Sequence, residues 1–189
     1  MNSKFRCTGC REYFPQSDKI KINRGTFCSI DCAGSKGLKK AKAEKVKEEK
    51  QAHTKAKKDL KDNDKSFQTK KTQRIFNSYI RLRDMALPCI SCGRFHTGQY
   101  HAGHYRSVGA NPELRFIPTN CHKQCSACNN HLSGNISNYR INLLCKIGEA
   151  AVAEMERSHP AKRYTIANLK TIQKWYTRKT KRLLRDQQC

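Results

Sequence analysis

Residues 89–131 read CISCGRFHTGQYHAGHYRSVGANPELRFIPTNCHKQCSACNNH. A Cys-x-x-Cys knuckle opens the stretch (Cys89, Cys92) and a second closes it (Cys125, Cys128), far apart in the chain. The two pairs can share one metal only if the intervening chain doubles back. A four-cysteine zinc site, with thiolates about 2.3 Å from the ion, would pin that hairpin shut. What it would hold in place is a set of imidazoles and amides: His101, His104, Asn120, Asn129 and His131. These are side chains suited to activating water and binding a cation.

The same arithmetic finds a second metal candidate near the N-terminus. Cys7-x2-Cys10 is followed by Cys28-x3-Cys32, a four-cysteine finger of treble-clef or ribbon type. Phe5, Tyr13, Phe14, Ile20, Ile22 and Phe27 supply a small apolar shell. About 30 residues cannot hold a fold by burial alone, and metal supplies the missing free energy. Eight of the eleven cysteines are thereby used; Cys121, Cys145 and Cys189 are left over. No apolar run is long enough to span a membrane and no secretory leader is evident. The expected location is therefore a cytoplasm, where thiols stay reduced and cysteines serve metals.

Charge decides the class of partner. Lys and Arg number 39 against 15 Asp and Glu, a net charge of +24 on 189 residues. Such an excess disfavours compaction by self-repulsion and calls for an anionic partner, nucleic acid first. A membrane surface fits less well, because the basic helices lack a broad apolar face. Between 36 and 74 the tract is strongly basic, with no Gly or Pro after Gly37. Its composition favours helix but offers no heptad seam, so it reads as a solvated basic linker or a phosphate-tracking arm.

The remaining elements follow from periodicity. TQRIFNSYIRLRDMAL (72–87) is amphipathic through Ile75, Tyr79, Leu82 and Ala86, and Pro88 ends it. FHTGQYHAGHYR and LRFIP read as the strands of a hairpin, with a short helix after Cys125 that ends before Gly134. Apolar spacing over 139–157 predicts a helix interrupted at Gly148. A final helix starts at Thr165, with Tyr164 and Leu169 as its hydrophobic staple. From Lys162 to Arg185 the chain is basic and has no acid. The division expected is a finger (1–35), a basic helical linker (36–71) and a main domain (72–189), in an α+β fold.

The order His, Asn, Cys-x-x-Cys, Asn/His resembles the HNH, or ββα-metal, nuclease motif. That resemblance makes His104 the general base, Asn120 the brace of its loop, and His101 with Asn129 or His131 the ligands of one catalytic Mg²⁺ or Mn²⁺. The two cysteine quartets are then structural zinc sites around a small ββα core wrapped by helices. The physical logic stands without the name. An imidazole with a pKa of about 6.5 can take a water's proton at neutral pH, and a divalent cation can clamp a phosphate oxygen and the leaving group. One departure is visible: Gly103 stands where such enzymes often place Asp before the base.

The run HAGHYRSVGANPELRFIPTNCHKQCSACNNHLSGN, with the basic linker and the cysteine-rich N-terminus, resembles the phage NinG (Rap) recombination protein family. The resemblance spans nearly the whole chain. It implies a structure-specific endonuclease acting on branched DNA such as Holliday junctions and D-loops, in the cytoplasm of the host bacterium. It further implies other recombination proteins of phage or host as partners and, by analogy with the near two-fold symmetry of a junction, a homodimer. Arg106, Lys123, Arg140, Lys174, Arg178 and Lys179 are the expected DNA contacts. Two rivals are a non-catalytic branched-DNA mediator, in which the zinc folds serve only as scaffold, and an RNA-binding or transcription factor, for which no stacking aromatic motif is present.

Overall fold

A computed structural model describes residues 4–187; Cys189 lies outside them. Contacts divide the chain into two units, Met1–Leu60 and Lys61–Cys189. In the first, β1 (Lys4–Arg6) pairs antiparallel with β2 (Tyr13–Pro15), and β3 (Ile20–Ile22) with β4 (Gly25–Phe27). Phe14 and Phe27 are buried beside Cys7, with Phe5, Cys28 and Cys32 packed against them. Tyr13 and Ile22 do not join this shell and are 68% and 43% exposed. Tyr13 neighbours the buried Phe14 on one strand, so the two must face opposite sides. Helix α1 (Ile30–Asn63) starts inside the finger, carries Cys32 on its first turn, and buries none of its 34 residues. As far as Asn63 the basic linker is therefore a solvated helix continuous with the finger; its last residues, 65–71, open the next helix.

The second unit begins earlier than its apolar pattern suggests. Helix α2 (Lys65–Arg83) is capped by the Asp64 carboxylate, which accepts from Ser66 N and Phe67 N. Its first turns bury polar groups: Gln173 Nε2 donates to Gln68 Oε1 and to Thr72 Oγ1, each at 2.9 Å. Because those turns pack through amides and a hydroxyl, the apolar periodicity that starts at Ile75 misses them.

Strand β5 (Tyr100–His104) pairs antiparallel with β6 (Cys121–Cys125), in the register His101↔Gln124, Gly103↔His122 and His104↔Cys121. The second strand is thus CHKQC and not LRFIP. Pro112 and Pro118 each open a 3₁₀ turn, Pro112–Leu114 and Pro118–Asn120, and the intervening Leu114 and Phe116 are buried plugs. After the hairpin comes one π-helical turn, Ala127–His131, followed by the left-handed Ser133, Gly134 and Asn135. Then come α3 (Ile136–Ile147) and α4 (Glu149–Glu156), separated by Gly148 at φ +84° as the sequence predicts. Helix α5 (Ile166–Asp186) opens with a capping box in which Thr165 accepts from Asn168 N.

The hairpin separates two apolar clusters. On one face Cys121 and Ala102 pack with Phe76 and Ile80 of α2, Phe116, and Leu169 and Tyr176 of α5. The second cluster joins Ile90, Tyr105, Leu114 and Tyr139 to Leu143, Val152 and Met155. Among the described residues no helix is long and apolar enough to cross a membrane.

Candidate functional site

Both cysteine quartets assemble. Within each, one sulfur per residue lies within 4.8 Å of all the others, and among the described residues no further group of three His, Cys or acidic ligands converges. Cys7 and Cys32 sulfurs are 3.4 Å apart, Cys10 and Cys28 3.7 Å, and Cys92 and Cys125 4.0 Å. Four thiolates about 2.3 Å from one zinc give S···S edges of about 3.8 Å, so these spacings fit the ion. The knuckle also organises its backbone: Cys125 N donates to Cys89 Sγ, and Cys89 N to Arg94 O. His96 Nε2 lies 3.2 Å from Cys92 Sγ, beside the quartet.

Asn120 is fully buried, and its carboxamide bridges three backbone groups. Its Oδ1 accepts from Arg106 N at 2.7 Å, and its Nδ2 donates to Arg106 O and Leu114 O at 3.1 and 3.2 Å. The loop leaving β5 is thereby tied to the turn preceding β6. At the end of β5, His104 Nε2 lies 2.9 Å from Arg115 O. A carbonyl accepts only, so Nε2 carries the proton and Nδ1 the lone pair. Nδ1 is 3.8 Å from Cys121 Sγ, and the ring sits 6.0 Å from that of Phe76. Burial lowers the His104 pKa, partly offset by the Arg115 carbonyl, so the ring is neutral at pH 7. The Cys121 thiol, pushed up by the same burial, stays protonated; it belongs to the core and not to either quartet.

Register separates the two histidines of the motif. Residues three apart on a strand face opposite sides. His104, opposite Cys121, is on the α2 side; His101, opposite Gln124, is on the other. On the His101 side lies an amide cluster. Asn130 Nδ2 donates to His101 Nε2 at 3.4 Å and to Ser126 Oγ at 3.2 Å, while Asn129 Nδ2 donates to Asn130 Oδ1 at 2.7 Å. His131 is exposed on the same turn. The structure thus brings Asn130, which the motif does not single out, beside His101.

Gly103 explains the missing carboxylate. A Cβ there would lie 2.0 Å from Gln124 Oε1 and 3.0 Å from Asn129 Oδ1. Gln124 is itself buried and donates to Ser91 Oγ and Gly134 O. The space an Asp would need is occupied by two carboxamides. Behind them, Tyr139 hydroxyl donates to Gly103 O at 3.0 Å and lies 3.1 Å from His122 Nδ1. Burial first, then the charges of Lys146 and Arg83, hold His122 down at about 3, so it is a neutral packing group. An ion at this face would find His101 Nε2 and Asn129 Oδ1 as protein donors once it displaced the Asn130 amide from Nε2.

The expected DNA contacts divide. Lys123 is 6% exposed, donates to Met85 O at 2.9 Å and sits 4.3 Å from the Tyr100 ring centre, so it stabilises the hairpin and does not project to a partner. Arg140 is exposed but committed to Glu156 through bonds of 2.8 and 3.2 Å, and Glu156 also accepts from Tyr105. Arg106 keeps a buried Nε with no partner among the described residues. Lys174 and Arg178 are exposed on α5, and Lys179 Nζ lies 4.0 Å over the Trp175 ring. Asp84, which carries no sequence signal, is the buried hub of this unit. Burial opposes its ionisation, but Arg83 and Lys146 hold its carboxyl below the usual range, and it accepts from Lys123 N at 3.0 Å.

Similarity to known proteins extends over both units. The profile of the family described as "Bacteriophage Lambda NinG protein" matches residues 1–186. Relatives named "Protein ninG" come from Escherichia phage lambda and Salmonella phage P22. Both are 47% identical over 119 residues, which is 63% of this chain and 58% and 59% of theirs. A third, from Escherichia phage 933W, is 45% identical over the same length. The match thus spans about three fifths of the relatives' length. No solved structure matches. On the strength of the family match over nearly all its residues, the chain belongs to the bacteriophage lambda NinG protein family.

Proposed function

We propose that this protein is a metal-dependent endonuclease that hydrolyses phosphodiesters in branched DNA during phage recombination. The observation that carries the reading is the posture of His104. It is a neutral imidazole whose Nε2–H is spent on Arg115 O, at the end of a hairpin braced by Asn120 and framed by a cysteine quartet. That posture leaves Nδ1 as a lone pair engaged only weakly, by a thiol 3.8 Å away.

In this mechanism His104 Nδ1 takes the proton of the attacking water, while the Arg115 carbonyl holds the tautomer and stabilises the imidazolium. Asn120 fixes the loop that carries Arg106. His101 and Asn129, on the other side of the hairpin, would hold a divalent ion that takes the place of the Asn130 amide at His101 Nε2; bound there, Mg²⁺ or Mn²⁺ would supply charge stabilisation for a phosphate oxygen. An imidazole ligand favours Mn²⁺ over Mg²⁺.

A second reading has its own support. The His104 ring packs on Phe76 and Cys121, as a structural histidine in a non-catalytic branched-DNA binder would. His104→Ala separates the two. The nuclease reading expects junction binding to persist and cleavage to fall about a hundredfold or more; cleavage unchanged in the variant would sink it.

A further inference from the structure

Four cations of the helical pair gather at one place. Lys71 on α2 and Lys170, Lys174 and Arg178 on α5 line one cleft of about 490 Å³, with Gln68, Gln173 and Thr177 also in its walls and Asp62 as its one acid. None of the four cations is in an ion pair among the described residues. Lys170, Lys174 and Arg178 are spaced i, i+4, i+8, so they form one row on the helix, about 12 Å long at about 1.5 Å per residue. Phosphates on one DNA strand advance about 3.4 Å each along the axis, so the row spans three to four of them.

The position of this cleft matters as much as its charge. Helices α2 and α5 pack on the hairpin face that carries Ala102 and Cys121. The cluster of His101, Asn129 and Asn130 lies against the opposite face, with Gly103 and Gln124. The hairpin therefore stands between the two helices that wall the cleft and the His101 cluster, a layer about 10 Å thick.

We infer that the α2–α5 cleft holds the phosphate backbone of a second DNA arm, distinct from the strand at the hairpin, and that this two-sided grip selects branched DNA. It rests on the reading that the protein binds branched DNA. A linear duplex, with a persistence length of about 50 nm, cannot follow both faces of the hairpin layer without a costly bend. A junction offers two arms at once. Contact in the cleft is by point charge to phosphate and carries no base sequence.

The test is the salt dependence of binding to a four-way junction and to a linear duplex of equal length, in Ca²⁺ or without metal so that nothing is cut. Each phosphate contact contributes about 0.9 to the slope of log K against log salt. Lys170→Gln, Lys174→Gln and Arg178→Gln combined should lower the junction slope by about 2.7. They should weaken junction binding roughly a hundredfold or more at about 0.1 M salt and bring the junction-to-duplex ratio close to one. Lys71→Gln alone should remove about 0.9. The charge-keeping set Lys170→Arg, Lys174→Arg and Arg178→Lys should retain the wild-type slope. A triple Gln variant with the wild-type slope and junction preference overturns the inference while leaving DNA binding intact. Wild-type protein that binds neither DNA removes the underlying reading with it.

Discussion

Gly103→Ala adds one methyl group at the point where β5, β6 and the asparagine turn meet. The new Cβ would stand 2.0 Å from Gln124 Oε1, so the carboxamide must retreat by more than an ångström to restore ordinary van der Waals contact. Gln124 cannot retreat freely, because its Nε2 donates to Ser91 Oγ at 2.6 Å and to Gly134 O. Overpacking costs about 1–3 kcal/mol, and weakening two buried hydrogen bonds about 1 kcal/mol each. The expected loss is about 3–5 kcal/mol, within a stability of about 5–15 kcal/mol, so the domain stays folded. Trp175, the chain's one tryptophan, lies on α5 and reports unfolding of this unit in urea. The midpoint should fall in proportion, with the m-value unchanged. In a Gln124→Ala background the same Gly103→Ala change should cost less than about 1 kcal/mol, because its main clash is gone. A single variant within about 0.5 kcal/mol of wild type would refute the close packing on which the account of this site rests.

The same geometry fixes three other outcomes. Asn120→Ala strips three buried backbone groups of their partner and should cost about 3–5 kcal/mol in urea unfolding; a loss below about 1 kcal/mol would contradict the brace. Elemental analysis should find two zinc ions per chain, and a chelator should unfold the N-terminal unit, whose core is two phenylalanines and a cysteine, while the far larger clusters of the second keep its helices. Retention of the β1–β2 and β3–β4 amide signals in metal-free protein would argue against a structural ion. His122 is held down at about 3 when folded, against about 6.5 unfolded. The unfolded chain therefore binds the extra proton first as pH falls through about 6.5, and stability drops by about 1.4 kcal/mol per pH unit towards 3. Wild type minus His122→Gln should show that slope between about pH 6 and 5, the ligand cysteines cancelling in the difference; a flat difference would contradict a neutral buried His122.

The cysteine sites are legible in the sequence because ligand spacing is local and few other folds demand it. Gly148 and Thr165 are legible for the same reason, each marking a helix end by its own chemistry. Strand β6 is not. All five residues of CHKQC are buried, yet three are polar, satisfied by Tyr139, Met85 O and Ser91 from distant parts of the chain. LRFIP has strand-like composition, but Pro112 before it and its own Pro118 open 3₁₀ turns, and its Leu114 and Phe116 serve as plugs. Likewise the first turns of α2 are held through Gln68 and Thr72, for which no hydrophobic period exists. Within the candidate site, the types His, Asn and Cys are readable. Their sides of the hairpin are not, because the register that parts His101 from His104 depends on which segment supplies the partner strand.

The most direct test is a cleavage assay with wild-type protein, Mn²⁺ or Mg²⁺, and matched four-way junction, D-loop and linear duplex. The account predicts that the branched substrates are cut and the duplex is spared, more strongly in Mn²⁺. Tight junction binding with no cutting in either metal would contradict it and leave a branched-DNA binder in which His104 is a structural residue.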